Sequence, residues 1–146
     1  MKKVRIGIVC TEFNEAIMEK MLDAAISHVE FLNGDVVATL RVPGTWDIPL
    51  AAQTLLEQDC IDGVVCLGTI IQGETAHDEV IGHATSKTLQ QLSLEFSKPI
   101  GFGVAGPKMT YKQAEARAVP FAQHAVKTAI EMHNRIKSLK VKHAKE

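Results

Sequence analysis

Apolar and polar positions along this chain alternate between two regimes. Short runs rich in β-branched residues are each followed by a longer stretch whose apolar residues recur three and four apart. Residues 4–10 (V-R-I-G-I-V-C) predict a first strand. Ile17, Met21, Leu22, Ala25, Ile26 and Val29 then fall at helical spacing, and Asn33-Gly34 ends that helix with residues that tolerate positive φ. Residues 36–42 predict a second strand, stopped by Pro43-Gly44. A helix over about 47–57 follows, with Ile48, Ala51, Ala52 and Leu55 on one stripe and Pro49 in the first turn, where its missing N–H costs little. Asp62-Gly63 opens a third strand, 64–70, whose continuous apolar character suits burial on both faces. The third helix is predicted from 77 or 78 to 96, and after Lys98-Pro99 the fourth strand covers 100–104. Thr110 begins the last helix, with Gln113 at the spacing of a capping box. Pro120 predicts a kink or restart, after which Phe121, Ala125, Ala129, Met132 and Ile136 continue the stripe. Residues 137–146 are mostly charged and carry no stripe, which predicts a frayed tail.

Four β-then-α units in succession predict a single α/β domain over 1–146, with a four-stranded parallel sheet between two layers of helices and right-handed crossovers. That arrangement brings residues 11–14, 43–47, 69–77 and 102–107 to one edge of the sheet, the edge at which such folds bind ligands. The most informative of these segments is V-V-C-L-G-T-I-I-Q-G-E-T-A-H-D at 64–78. An apolar strand breaks at Gly73 into a turn that offers backbone N–H donors, the Thr75 hydroxyl and the His77 imidazole. Such a set can hold an anion and move a proton.

Composition narrows the class. At 146 residues, 46% apolar and 23% charged, the chain has the make-up of a soluble globular domain large enough to bury a core without disulfides or metal. A net charge of −1 gives no electrostatic case for nucleic acid or an anionic membrane as partner. Cys10, Cys60 and Cys66 are odd in number, lack C-x-x-C spacing and sit in or beside apolar runs, so reduced core thiols in a cytoplasmic protein are expected. The first strand is too interrupted for a signal peptide, and no run approaches membrane-spanning length. Glu79 and His83 stand four apart on a helix but lack the second ligand pair a metal site needs. The remaining histidines read as surface residues.

Five stretches taken together resemble the lumazine synthase family. They are E-F-N at 12–14, V-P-G-T-W-D-I-P at 42–49, L-G-T-I-I-Q-G-E-T-A-H at 67–77, P-I-G-F-G-V at 99–104 and Q-A-E-A-R-A at 113–118. The H-D-E at 77–79 and G-P-x-M-T at 106–110 are closer to archaeal members than to bacterial ones. The resemblance implies a flavodoxin-like three-layer α/β/α sandwich. It also implies condensation of 5-amino-6-(D-ribitylamino)uracil with 3,4-dihydroxy-2-butanone 4-phosphate to 6,7-dimethyl-8-ribityllumazine, without cofactor or metal. Phosphate and water leave.

Carried over by position, the resemblance puts the pyrimidine at Phe13, Thr45, Trp46, Asp47, Thr69, Ile70, Ile71 and Phe102. It puts the butanone phosphate at Glu74, Thr75 and Arg117, and the proton donor at His77. Trp46 and Asp47 stand where the family usually has phenylalanine and glutamate. The types suit the chemistry: a flat ring stacks on an aromatic side chain, a dianion needs N–H donors and a guanidinium, and imine formation needs a group that titrates near neutrality. Phe102 and Arg117 come from a neighbouring subunit in the family. A homo-oligomer with shared sites is therefore implied, a pentamer or multiples of pentamers up to an icosahedral shell, with a functional link to riboflavin synthase. Competing readings are an archaeal-type riboflavin synthase, a flavin-binding module and a cage-forming protein without catalysis. A flavin module of flavodoxin type cradles phosphate in a glycine-rich loop after the first strand, and the loop here, Thr11-Glu12-Phe13-Asn14, has no glycine.

Overall fold

The computed structural model describes residues 2–73 and 76–144. The two regimes become β1 (Arg5–Thr11), α1 (Glu15–Phe31), β2 (Asp35–Val42), a 3-10 turn (Thr45–Asp47) and α2 (Ile48–Leu56). They continue as β3 (Gly63–Ile71), α3 (His77–Phe96), β4 (Ile100–Met109) and α4 (Tyr111–Ala144). All strand pairs are parallel, in the order β2-β1-β3-β4, so β3 and β1 are central and β4 is an edge. The α/β sandwich predicted from the alternation is the one observed.

Side chains alternate across the pleat, and the two faces take different helices. Ile6, Ile8, Cys10, Val65 and Leu67 pack with α1 and α4, while Val9, Val64, Cys66 and Val104 pack with α2 and α3. Central strand β3 is buried from Gly63 to Ile70, which is why its sequence is a continuous apolar run. Each fully buried Ile or Leu among these contributes about 1.5–3 kcal/mol. Helix α4 lies unusually close to β4: a Cβ at Gly101 would collide with the carbonyl of Ala125. The small residues Ala114, Ala118, Ala122 and Ala125 are what let the helix settle on that strand.

The capping box is present as read. The Thr110 N–H donates to Gln113 Oε1 at 3.0 Å, and the Gln113 N–H donates to Thr110 Oγ1 at 3.2 Å. At the amino end of the sheet, the Arg5 guanidinium donates to both Asp62 carboxylate oxygens, at 2.9 and 3.1 Å. Nearby, Lys98 Nζ donates to the carbonyls of Leu56 and Gln58 at 2.8 and 3.0 Å. Partial burial pushes the Asp62 carboxyl up, but the hydrogen bonds and charge of Arg5 outweigh it and hold it below the ordinary carboxylate range.

Four expectations are corrected. Pro120 does not restart the helix: α4 is one helix from Tyr111 to Ala144 with the proline inside it. Pro120 and Ala116, whose carbonyl loses its partner, are both exposed, so water can take the bond. The tail is helical as far as Ala144 rather than frayed, because the packed turns before it supply the nucleus and its lysines, leucine and alanine propagate it. Segment 102–107 is not a loop: β4 runs on to Met109 through an irregularity in which Thr69 and Ile71 of β3 face Ala105 and Met109. Cys60 is exposed, lying in the link after α2, whereas Cys10 and Cys66 are buried core thiols. Burial pushes the Cys10 thiol up to about 11 and the Cys66 thiol to about 12. Among the described residues, no helix is long and apolar enough to cross a membrane.

Candidate active site

At the carboxyl end of the sheet a cleft of about 460 Å³ opens between the first three post-strand segments. Phe13 and Asn14 line it after β1, Gly44, Thr45 and Trp46 after β2, and Thr69, Ile70, Ile71 and Gly73 at the end of β3. His77, Asp78 and Ile81 close it from the first turns of α3. The topology explains the gathering: β1 is central, so the crevices beside it collect the ends of three parallel strands.

Local structure fixes each wall. Asn14 has a left-handed backbone (φ 61), and its carbonyl accepts the N–H groups of Ile17 and Met18 at 3.0 and 3.1 Å. That bend starts α1 and leaves Phe13 outside the core, 72% exposed. The Glu12 N–H donates to the Val42 carbonyl at 2.8 Å, which ties the first segment to the second. Trp46 stands on the 3-10 turn at 63% exposure. Two large aromatic faces are thus presented to the cleft rather than packed, as stacking on a flat ring requires.

The floor offers backbone more than side chain. Thr69 is buried, and its hydroxyl donates to the Met18 sulfur at 3.1 Å, so its contribution toward the cleft is its main chain. Thr45 is buried with its hydroxyl toward Gly68 of β3, and Ile70 is buried toward α3. His77 is exposed at the first residue of α3, beside the cleft. No lysine or arginine is among the described residues that line the cleft.

The remaining expected site residues lie elsewhere. Asp47 turns its carboxylate back on its own turn, where Oδ2 accepts the Gly44 N–H at 3.1 Å. Phe102 borders a separate groove of about 160 Å³ with Ser86, Leu89 and Ser93 of α3. Arg117 is exposed on α4, which covers the opposite face of the sheet. Glu74 and Thr75 lie outside the described residues. Sequence reasoning had not singled out Asn14, Gly44, Asp78 or Ile81 as cleft residues. The signal for Asn14 was an amide side chain just before a helical stripe, a place that favours a left-handed backbone.

Known proteins of one family resemble this chain over most of its length. The family model described as 6,7-dimethyl-8-ribityllumazine synthase matches residues 3–137. A protein of that name from Metallosphaera sedula is 48% identical over 136 residues, 93% of this chain and 90% of its own. One from Saccharolobus solfataricus is 46% identical over 138 residues, 94% of this chain and 90% of its own. Another from Staphylothermus marinus is 44% identical over 138 residues, 94% and 92% of the two chains. All three carry that name and come from archaea, the group to which the H-D-E and G-P-x-M-T segments pointed.

Proposed function

Because the chain belongs to the 6,7-dimethyl-8-ribityllumazine synthase family, we propose that its cleft is where ribitylaminouracil meets the butanone phosphate to form the lumazine of riboflavin biosynthesis. This makes it a transferase. The names of the relatives favour the synthase over lumazine dismutation.

The pyrimidine lies against Phe13 and Trp46, with main-chain groups of Thr45, Thr69, Ile70 and Ile71 along its edge. Segment 73–75 holds the phosphate, and His77 moves protons during imine formation, phosphate loss and ring closure. The substrate amine is already nucleophilic, so orientation of two bound substrates supplies much of the acceleration. The buried Cys10 and Cys66, with thiols pushed far above neutrality, have no part in it. The cysteines, all unpaired, accord with a reducing cytoplasmic setting.

The observation that carries this reading is a cleft with aromatic walls and a histidine, but no lysine or arginine among the described residues that line it to meet a dianionic substrate. Phe102 and Arg117 flank the edge strand β4, one on the strand and the other in the helix that follows it. A neighbour docking by that edge would bring both to this cleft, and it would supply the missing guanidinium. A head-to-tail contact of this kind closes into a ring, and the pentamer, alone or in multiples, is the ring proposed.

The test mixes two variants, His77→Ala and Arg117→Ala, after mild dissociation, and follows lumazine formation. Shared sites regenerate some pockets with both residues intact, so activity rises with the extent of mixing. Verified mixed oligomers no more active than the average of their parents would place the whole site in one subunit.

A further inference from the structure

We propose that Asp78 is a positioning residue for His77, acting as a clasp between the first turn of α3 and the irregular end of β4. The proposal rests on the role given to His77 above.

Two consecutive residues of β4 hold both ends of the connection from β3 to α3. The Gln72 N–H donates to the Met109 carbonyl at 2.7 Å. Six residues on, Asp78 Oδ2 accepts the backbone N–H of Lys108 at 3.2 Å. Lys108 presents that N–H sideways because its backbone is left-handed (φ 61), in the stretch where β4 leaves regular pairing with β3. Gly106, at φ 115, permits the departure, since any side chain there would run into the Ile70 carbonyl. The Lys108 ammonium then reaches Glu79 Oε1 at 3.1 Å, so one residue grips two neighbours on α3.

Asp78 is 9% exposed and borders the cleft, so this bond sits out of bulk water. Ala76, at the N-cap of helix α3, has no side chain that could cap it, and the first turn is where a helix frays. His77 is the first residue of that turn. The position of its imidazole follows that turn, and the clasp ties the turn to β4 through the residue next to it. The two segments that set this sequence apart, H-D-E and G-P-x-M-T, are thus the two halves of one contact.

The experiment measures lumazine formation by the full chain carrying Asp78→Ala or Asp78→Asn, each alone and combined with His77→Ala. Misplacing a reacting group by about 1 Å costs up to about 100-fold, so Asp78→Ala should lower kcat by roughly 5- to 20-fold. In the His77→Ala background the same change should cost less than about 2-fold, the signature of two residues acting as one unit. Asp78→Asn, whose amide oxygen still accepts the Lys108 N–H, should recover most of the rate. An equal loss in both backgrounds, or asparagine no better than alanine, overturns the proposal. Should Asp78→Ala fail to fold, Asp78→Ser, too short to reach Lys108, replaces it. A wild-type chain that makes no lumazine defeats the catalytic reading instead. The clasp is then read by hydrogen exchange at the start of α3, which should speed up in Asp78→Ala and not in Asp78→Asn. Unchanged exchange overturns it.

Discussion

The two ends of the sheet treat their polar groups in opposite ways. At the amino end, Arg5 and Asp62 close on each other and Lys98 is held by two carbonyls. At the carboxyl end, Phe13 and Trp46 stand in water, and the fully buried Thr11 hydroxyl has no hydrogen-bond partner among the described residues. Stability alone would favour the reverse, because exposed aromatics forgo burial and an orphaned hydroxyl costs about 1–3 kcal/mol. The polar groups of one end are satisfied by the chain itself, whereas the aromatic faces of the other are, on the function proposed above, left for the ring that binds there.

The largest effect expected from this contrast is at His77. His77→Ala should lower kcat by roughly 10- to 100-fold, at or below the low end of general acid–base contributions. Its melting temperature should stay within about 2 °C of wild type, since the side chain is exposed. A chain destabilised as much as it is slowed would break the comparison. Next is Phe13→Ala, which removes a stacking face and should weaken pyrimidine binding by about 2- to 10-fold, measured by calorimetry, with the melting temperature again unmoved.

Asp62→Asn should do the converse, keeping turnover and losing a few degrees of melting temperature. Its pH dependence has a fixed sign. Because the folded carboxyl is held below its ordinary value, the wild-type advantage is complete above about pH 4 and fades as pH falls through the folded value. Melting curves of the two chains should therefore converge in acid; convergence at alkaline pH would mean another group carries the effect. The smallest signal is in the thiols. At pH 8 a thiol reagent should label Cys60 alone in the native chain and all three cysteines after unfolding, since Cys10 and Cys66 are buried and their thiols lie near 11 and 12.

Much of this was legible in the sequence because the signals were local. Continuous apolar character marked β3 as central, and the Thr110–Gln113 spacing marked a cap that the hydrogen bonds reproduce. The aromatic walls were legible too, as large residues in post-strand segments off any helical stripe. What escaped depended on partners far along the chain. A Gly-Pro pair reads as a terminator, and nothing near residue 106 tells that pairing resumes at Met109 with Ile71. Pro120 reads as a breaker, and only the exposed side of a packed helix makes it tolerable. Asp78 reads as an ordinary first-turn acid, and its bond to Lys108 spans 30 residues.

The chain has one tryptophan, and it stands at the cleft with most of its surface in water. Its indole emission in the native state should already be that of a hydrated ring, so unfolding leaves it little room to shift. A thermal melt followed by intrinsic fluorescence would pass over the transition almost unseen. A planar ligand laid on Trp46 strips that water and quenches or shifts the ring directly. The same optical channel that is blind to folding is then a built-in titration signal for occupancy, with no label to attach and no second indole to subtract.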